Sequence, residues 1–326
     1  MANKKVAALL CESEENIHYV YSDAQLAQLA GLTDLKPGIF NRAGLAEADL
    51  SDVEVLVSTW GMPCLTDEEL ARLPKLEAVF YAAGATDGFA RPLFAHNVKV
   101  LSAWQANAIP VAEFCVAQII LALKGYFANT RMIHSPADWS REKAYVGPGL
   151  YGETVALIGA GAISTCVQGM LKAFNVNVIV VPSRPERRTV SLEEVFQKAF
   201  VVSNHLPNRD DNIGVLNGKL FSSMRHGAVF INTGRGAQVN EAELIEVLEK
   251  RPDLTALLDV THPEPPAEGS KLYTLPNVQQ SSHIAGSVND EVHRMADYML
   301  DEFRRYIAGE PLKYQVVESM LLTSTK

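Results

Sequence analysis

The amino-acid sequence predicts an α/β protein made of two tandem units, each with a parallel sheet. The first observation behind this prediction is that short apolar runs alternate with polar, helix-compatible stretches, which is typical of strands buried on both faces. The second observation is size, because 326 residues, 48% of them hydrophobic and 21% charged, suffice for about two domains with separate cores. We therefore expect two successive sets of strands and helices.

Ten apolar runs are predicted strands, and they fall into two groups. The first group comprises Val6–Leu10, Val53–Val57, Ala78–Tyr81 and Val98–Leu101. The second group comprises Thr154–Ile158, Asn177–Val181, Ala199–Ser203, Ala228–Ile231, Leu254–Asp259 and Val278–Ser281. Polar stretches at 23–29 and 67–73 are predicted helices. A longer helix from about Ser287 to Ala308 has its apolar residues on one face and ends before Gly309, and it could return the chain to the first unit.

Charge and cysteine content exclude several classes of protein. The formal net charge is -9, from 29 basic and 38 acidic residues, which argues against a broad nucleic-acid surface. The four cysteines are far apart and form neither a zinc motif nor a disulfide framework, so we expect no metal, reduced thiols and a cytoplasmic protein. The apolar stretch Val111–Leu123 falls short of the ~18 residues that span a bilayer. We expect this stretch to be a buried helix. For the protein as a whole, we expect no signal peptide and no membrane partner.

A glycine-rich turn follows the strand Thr154–Ile158. Its sequence is Gly159-Ala160-Gly161-Ala162-Ile163-Ser164, and an amphipathic pattern comes next. The first glycine permits a tight turn, the second permits close approach of a pyrophosphate, and the following helix directs free N–H groups at that anion. Ser164 stands where a third glycine is usual, and we expect it to be tolerated because its side chain is small. The turn therefore predicts a dinucleotide site formed by Gly159, Ala160, Gly161, Ala162 and Ile163.

The next predicted strand ends in Pro182-Ser183-Arg184, where an acidic residue would bind the ribose of NAD. Arg187 and Arg188 follow closely. Arginines beside a neutral residue suit a 2'-phosphate, so Ser183 and Arg184 are predicted cofactor-binding residues and NADP is favoured, with NAD as the alternative. An ordinary solvated basic turn would explain the same residues without a cofactor.

Polar segments also follow three strands of the second group, at 232–236, 259–265 and 281–286. An open α/β sheet binds ligands at the carboxyl ends of its strands. Arg235, Glu264 and His283 are therefore expected at one edge of the sheet. Each alone has an ordinary explanation, as a turn cation, a solvated carboxylate or a hydrogen-bonded loop histidine.

These segments resemble those of the D-isomer-specific 2-hydroxyacid dehydrogenases, from about Val53 to Leu312. The matching stretches include Leu206-Pro207, 217–220, 232–236, 258–265 and 276–283. The resemblance implies two Rossmann-like doubly wound domains, with a nucleotide-binding domain at 104–287 inserted in a flavodoxin-like substrate domain made of 1–103 and 288–326. It assigns the substrate carboxylate and keto oxygen to Arg235, the acid/base role to His283 and support of that histidine to Glu264.

Hydride transfer to a ketone leaves negative charge on oxygen, so a proton donor and a nearby cation are the groups that this reaction needs. The resemblance implies further contacts with the cofactor, at His205, Leu206, Pro207, Thr233, Gly234 and Asp259. It also implies that Ala83 and Gly84 bind the substrate carboxylate through backbone N–H groups and that Trp60 lies near the substrate tail. A plain turn remains the alternative for the former two, and a core position for Trp60.

The leading hypothesis is therefore an NADPH-dependent reductase of a small 2-keto acid, such as glyoxylate or hydroxypyruvate, that yields the D-2-hydroxy acid. The aromatic Trp60 stands where phosphoglycerate dehydrogenases look basic, which disfavours a phosphorylated substrate. A corepressor-like nucleotide sensor on the same fold, or a related dehydrogenase of formate or phosphite, are the alternatives. The helix Val111–Leu123 and the segment after Ser135 resemble dimer-forming elements of the family, so we expect a homodimer.

Overall fold

The computed structural model describes residues 4–144 and 146–321. The chain divides into two compact units, one formed by Met1–Asn107 with Ser287–Lys326 and the other by Ala108–Gly286. The limits inferred from the resemblance, 103/104 and 287/288, differ from this division by a few residues. The chain thus completes most of the first unit, forms the whole second unit, and then adds its last elements to the first.

The described residues contain twelve strands, numbered in chain order. They are β1 (Val6–Leu10), β2 (Asp34–Phe40), β3 (Val55–Ser58), β4 (Ala78–Tyr81), β5 (Lys99–Ser102), β6 (Glu153–Ile158), β7 (Val176–Val181), β8 (Val201–Asn204), β9 (Val229–Asn232), β10 (Thr255–Leu258), β11 (Val278–Gln280) and β12 (Gln315–Val316). Each of the ten predicted strands is present, with ends shifted by at most two residues.

Each unit contains one six-stranded sheet. The order in the first unit is β12-β5-β4-β3-β1-β2, and it is parallel except for the antiparallel pair of β12 with β5. The order in the second unit is β11-β10-β9-β8-β6-β7, and its pairs are parallel. The predicted α/β class with two doubly wound sheets is confirmed. In the second sheet the order reverses between β6 and β8, and such a switch point is where open α/β sheets bind ligands.

Two strands were not predicted from the sequence, β2 and β12. Strand β2 contains Pro37 and Gly38, which interrupt the apolar pattern, and its pairing with β1 shifts in register between Ala7 and Leu9. It lies at the edge of the sheet, where a proline costs no ladder hydrogen bond if its nitrogen faces outward. Strand β12 has only two residues, too few for a pattern.

The α-helices of the described residues are numbered in the same way. They are α1 (Glu14–Val20), α2 (Asp23–Leu32), α3 (Arg42–Glu47), α4 (Asp67–Ala71), α5 (Ala90–Ala95), α6 (Trp104–Leu123), α7 (Tyr126–Met132), α8 (Arg141–Ala144), α9 (Ala162–Leu171), α10 (Leu192–Lys198), α11 (Gly218–Ser222), α12 (Glu241–Lys250), α13 (His293–Ala308) and α14 (Glu318–Leu321). Short 3-10 turns occur at Pro136–Asp138, Pro185–Arg187, Asp210–Asn212, Gly236–Gln238, Lys271–Tyr273 and Asn289–Val292.

Helix α6 is longer than the sequence predicted. It has 20 residues because it continues through Pro110, where the apolar pattern suggested a beginning. In the part of the chain that the structure describes, it is the one helix long and apolar enough to cross a membrane, so the expectation that it would be too short is wrong. However, 56% of its most apolar window is buried. Cys115 and Ile119 pack in a core that includes Val155 of β6, as expected for a core helix.

Helix α13 begins at His293, later than the predicted Ser287, and follows the 3-10 turn Asn289–Val292. Its buried face packs into the core of the first unit, where the Phe303 ring meets Phe80 edge to face at a centroid distance of 5.2 Å. It ends, as predicted, at Gly309, whose φ of 67° is the left-handed conformation that terminates many helices.

Candidate active site

The glycine-rich turn after β6 is shaped by its first glycine. Gly159 has a φ of 115°, and its N–H donates to the Val181 carbonyl (2.7 Å). A Cβ at this position would collide with the carbonyl of His205 in the loop after β8. Only glycine therefore allows the two loops at the switch point to approach this closely.

The second glycine of the turn leaves open space. Gly161 is the N-cap of the ten-residue helix α9, and a Cβ built there would meet no atom within 4 Å. The first N–H groups of a helix lack intrahelical acceptors and attract anions. Ser164 is buried where the third glycine was expected, so its small side chain is accommodated. Ala162 and Ile163 form the first turn of α9, and this geometry fits a pyrophosphate.

An arginine that the sequence reasoning missed lies beside the basic turn after β7. Arg188 folds back on its own turn, donating to the carbonyls of Pro182 (2.9 Å) and Ser183 (2.8 Å). Arg184 is only partly buried, and its Nη1 lies 3.9 Å from Glu186. Arg209, from the loop after β8, brings Nη1 to 3.5 Å from the Ser183 hydroxyl while its guanidinium also pairs with Asp211. Its distance of 26 residues from Ser183 gave no sequence signal.

The Arg235 turn follows β9 and is packed tightly on its carboxyl side. A Cβ at Gly236 would collide with the carbonyl of Thr261, in the loop after β10. The Arg235 side chain is exposed, and its Nη1 donates to the Gly234 carbonyl (2.8 Å). Thr233, just before it, lies with its hydroxyl 3.2 Å from the buried Cys115 thiol, whose pKa is raised by burial to about 11. The residue before the turn is thus in contact with an uncharged thiol in the core of the unit.

Asp259, the first residue after β10, holds the loop that carries His283. Its Oδ1 accepts hydrogen bonds from the Ser281 hydroxyl (2.6 Å) and the Ile284 N–H (2.9 Å), and its Oδ2 accepts one from the Ala285 N–H (3.0 Å). Its carbonyl accepts from the His283 N–H (3.0 Å). This buried carboxylate was predicted to contact cofactor, and its oxygens bind a side-chain hydroxyl before the histidine and two backbone N–H groups after it.

His283 and Glu264 are in direct contact. The Nδ1 atom of His283 lies 2.7 Å from Oε1 of Glu264, and their side chains are 50% and 42% exposed. His283 has a φ of 58°, an uncommon conformation for a residue other than glycine. The Asp259 hydrogen bonds explain how the loop retains this conformation. The Glu264 carboxylate therefore orients the imidazole ring, while the Asp259 carbonyl binds the His283 N–H and the Asp259 carboxylate binds the neighbouring residues of the loop.

His205 lies beside the glycine-rich turn after β6. Burial lowers its pKa to about 4, so the ring is neutral at ordinary pH. Its Nε2 lies 3.0 Å from the Ser203 hydroxyl, and its Nδ1 has no hydrogen-bond partner among the described residues. The contact of His205 with the glycine-rich turn is made by its backbone carbonyl, which packs against Gly159. Leu206 is buried and Pro207 is exposed.

The substrate residues inferred from the resemblance lie in the other unit, at the carboxyl edge of its sheet. Trp60 follows β3 and packs partly on the core, with its ring stacked on Tyr19 at a centroid distance of 6.4 Å. Its carbonyl accepts from the Cys11 thiol (3.1 Å) and the Asn16 amide (2.8 Å). Trp60 is thus partly buried against the core of the first unit, and its place near a substrate tail stays a prediction.

Ala83 and Gly84 follow β4 in a loop held by Ser102, whose hydroxyl lies 2.7 Å from both of their carbonyl oxygens. The Ala83 N–H donates to the Tyr81 carbonyl (2.9 Å), so in this conformation it is not available to a carboxylate. The predicted backbone contact therefore applies better to Gly84.

The carboxyl ends of β6, β9, β10 and β11 thus carry the glycine turn, the exposed Arg235, Glu264 and the oriented His283 on one edge of the sheet. The described residues contain no group of three or more His, Cys, Asp or Glu side chains suited to a metal ion. A cation next to an imidazole that a carboxylate orients can bind an anionic substrate and exchange a proton with it.

Comparison with known proteins agrees with this chemistry. Residues 116–285 match the family model described as D-isomer specific 2-hydroxyacid dehydrogenase, NAD binding domain. The chain is 30% identical to YoaD of Bacillus subtilis (strain 168) over 235 residues, 68% of each chain. It is 27% identical to the glycerate dehydrogenase of Methylorubrum extorquens, over 75% of this chain and 80% of that protein.

Among solved structures, the NADPH-dependent glyoxylate/hydroxypyruvate reductase of Sinorhizobium meliloti is similar with a TM-score of 0.70. The identity is 21%, and the alignment covers 97% of this chain and 99% of that chain, so it supports the shared fold. The family model covers about half of the chain, and the curated relatives extend the match beyond it. The chain belongs to the D-isomer-specific 2-hydroxyacid dehydrogenase family, whose members are oxidoreductases with a nicotinamide cofactor.

Proposed function

We propose that this protein reduces a small 2-keto acid of the glyoxylate or hydroxypyruvate type to the D-2-hydroxy acid. The observation that carries the proposal is the 2.7 Å contact between His283 and Glu264 at the same sheet edge as the exposed Arg235. The names of two relatives, a glycerate dehydrogenase and a glyoxylate/hydroxypyruvate reductase, support the choice of substrate size.

The proposed roles follow from what each side chain can donate. Glu264 binds Nδ1 of His283, which leaves Nε2 as the ring nitrogen that reaches a substrate oxygen. His283 then gives a proton to the keto oxygen as charge develops there, and Glu264 holds the ring through Nδ1 in the orientation for that transfer. Arg235 binds the substrate carboxylate through its planar guanidinium. A nicotinamide bound at the glycine turn would supply the hydride.

NADPH is the proposed cofactor. The turn after β7 carries Ser183 and Arg184, and Arg209 reaches the same hydroxyl from a second loop. Two guanidinium groups and a hydroxyl suit a 2'-phosphate better than a ribose hydroxyl pair. We expect a lower KM for NADPH than for NADH, and Arg184→Ser should reduce the difference at least fivefold. Equal KM values in the native protein would contradict the preference.

A small, unphosphorylated substrate is favoured by Trp60, a partly buried aromatic residue at the sheet edge of the first unit. Steady-state rates with glyoxylate, hydroxypyruvate, pyruvate and 3-phosphohydroxypyruvate test this choice. We expect the first two to have the highest kcat/KM. No turnover with any 2-keto acid would favour a nucleotide sensor, and turnover of formate or phosphite would favour the other alternative.

The variant His283→Ala tests the catalytic assignment. It removes the proton donor, so kcat should fall by about 10²-fold to 10⁴-fold. NADPH affinity, followed by quenching of protein fluorescence, should stay within threefold. His226→Ala is the matched control, because His226 is exposed in the same unit but lies at the amino end of β9. A His283→Ala protein with near-native turnover would refute the assignment.

A homodimer is part of the proposal. Large apolar side chains are exposed on the second unit along α6, α7 and the segment that follows, among them Leu121, Tyr126 and Trp139. Exposed apolar residues concentrated in one segment are typical of protein contacts. Light scattering at micromolar concentration should give twice the mass of the 35.6 kDa chain. A monomeric mass would contradict it.

A further inference from the structure

Three buried amide side chains lie between the loops after β8 and β9, and the proposed chemistry gives them no role. They are Asn204, Asn232 and Gln238, and each is at least 99% buried. Burying an amide is costly unless its hydrogen bonds are made. Three such groups in contact therefore call for a physical reason.

Gln238 connects the two loops. Its Nε2 donates to the carbonyls of Leu206 (2.9 Å) and Pro207 (2.8 Å), in the loop after β8. Its Oε1 accepts from the backbone N–H of Arg235 (3.2 Å), in the turn after β9. One side chain thus joins the backbone of the Arg235 turn to the loop that carries predicted cofactor contacts.

Asn204 joins Gln238 and Asn232 into one hydrogen-bond network. Its Nδ2 donates to Oε1 of Gln238 (2.7 Å) and to Oδ1 of Asn232 (2.9 Å), and its Oδ1 accepts from the Leu206 N–H (3.2 Å). Oδ1 of Asn232 also accepts from the Gly234 N–H (3.1 Å). The backbone N–H groups on both sides of the Gly234–Arg235 peptide are therefore bound by this network.

The backbone partners determine how these amides are oriented. The carbonyls of Leu206 and Pro207 can only accept, so the Gln238 nitrogen must face them and its oxygen must face Arg235. The N–H of Gly234 can only donate, so it requires the Asn232 oxygen. Asn204 is then left to donate to both oxygens, and no amide can turn over without breaking several bonds.

The network also leaves no room beside Gly234. A Cβ there would lie 2.8 Å from both Nδ2 of Asn204 and Oε1 of Gln238. The turn is therefore confined by side-chain packing as well as by hydrogen bonds.

We propose that Asn204 and Gln238 are a coupled pair of positioning residues that hold the Arg235 turn in register with the Leu206–Pro207 loop. They touch neither substrate nor cofactor in this account. The inference rests on the proposed function in that it gives Arg235 a substrate and the two loops a cofactor. The two positions depend on each other, although 34 residues separate them.

The test is a double-mutant cycle of Asn204→Leu, Gln238→Leu and both together. Each single change leaves the other amide buried without the hydrogen bond that joins the two, whereas the double change removes both amides. We expect each folded single variant to lose at least tenfold in kcat/KM for the keto acid and at least threefold in NADPH affinity. The double variant should lose less than the product of the two single losses.

Asn277→Leu is the matched control. Asn277 is also a buried amide, and its Nδ2 donates to the carbonyls of Leu248 and Arg251, but it lies before β11 at the opposite end of the sheet. It should lower Tm like the single variants while kcat/KM measured well below Tm stays within twofold. A purely structural role for the pair predicts the same pattern for Asn204→Leu and Gln238→Leu.

The inference is overturned if both folded single variants keep kcat/KM and NADPH affinity within twofold, or if the losses multiply in the double variant. The dissociation constant of NADPH needs no turnover. If the native protein reduces no keto acid, the proposed function fails, and the cycle in NADPH affinity still decides whether the pair is coupled.

Discussion

The buried carboxylate of Asp259 gives the sharpest prediction about how the candidate site is held. It accepts three hydrogen bonds from the His283 loop, from the Ser281 hydroxyl and the N–H groups of Ile284 and Ala285. The substitution Asp259→Asn keeps the size of the side chain and changes one oxygen into a donor. The loop then no longer has an acceptor for every N–H group.

The magnitude follows from the geometry. The less costly orientation keeps the amide oxygen toward Ser281 and Ile284, which share Oδ1, and places the new NH₂ against the Ala285 N–H. A hydrogen bond to a charged group is worth about 1.5–3 kcal/mol, and an unsatisfied buried donor costs about 1–3 kcal/mol. The His283 loop is thus destabilised by roughly 3 kcal/mol or more, and a shift of about 1 Å in a catalytic group costs on the order of 10²-fold in rate.

The assay compares kcat and NADPH affinity in Asp259→Asn with those in two controls. Ser281→Ala removes one of the three bonds and should lower kcat by less than tenfold. Asp253→Asn changes a half-buried carboxylate that accepts from Arg251 and the Gly227 N–H, away from the loop, and should lower Tm with little effect on kcat.

We expect Asp259→Asn to lower kcat by about 10²-fold with a smaller change in NADPH affinity. If the loss were confined to NADPH affinity, Asp259 would act through the cofactor, as the family resemblance implies, and not through His283. A folded Asp259→Asn protein with kcat within twofold of native would refute the reasoning.

Two further predictions concern the glycine-rich turn after β6 and the neighbouring His205. Gly159→Ala places a Cβ against the His205 carbonyl at a φ of 115° and should lower Tm markedly. In Gly161→Ala the new Cβ has no atom within 4 Å, so this variant should keep the native Tm and weaken NADPH binding at least tenfold. Equal effects of the two variants on Tm would contradict this prediction. His205 has a pKa lowered to about 4 by burial, so the unfolded chain binds a proton between pH 6.5 and 4 that the folded chain does not. The free energy of unfolding is therefore highest above pH 6.5 and falls with pH, by roughly 2 kcal/mol between pH 7 and 5. The prediction is wrong if the unfolding midpoints of the native protein and of His205→Leu change in parallel over this range.

Much of the fold could be predicted because its signals are local. Strand burial on both faces gives a continuous apolar run, so all ten predicted strands are present. Helix α6 was predicted too short because Pro110 interrupts the pattern, and tertiary packing of the helix outweighs that local cost. Strand β2 was missed because its Pro37 and Gly38 are compatible with a strand only at the edge of a sheet.

Part of the candidate site could likewise be predicted from local sequence signals, and part could not. Arg235, Glu264 and His283 each follow a strand, so the parallel topology alone predicts that they share an edge, and the structure adds the direct contact of the last two. Their roles, and the cofactor preference, remain predictions. Arg209 and the buried amides had no local signal in the sequence. Arg209 is 26 residues from Ser183 and Asn204 is 34 residues from Gln238, so only the fold shows that they are in contact.

By itself, the sequence determined the α/β class, the family and the glycine turn, since these depend on the order of residue types along a short segment. The tertiary structure alone decided which oxygen faces which N–H group. Asp259 binds the His283 loop and Gln238 binds the Leu206–Pro207 loop because strands that are separated in the sequence end side by side. A hydrogen bond depends on distance and direction within about an ångström, and only the folded chain defines those.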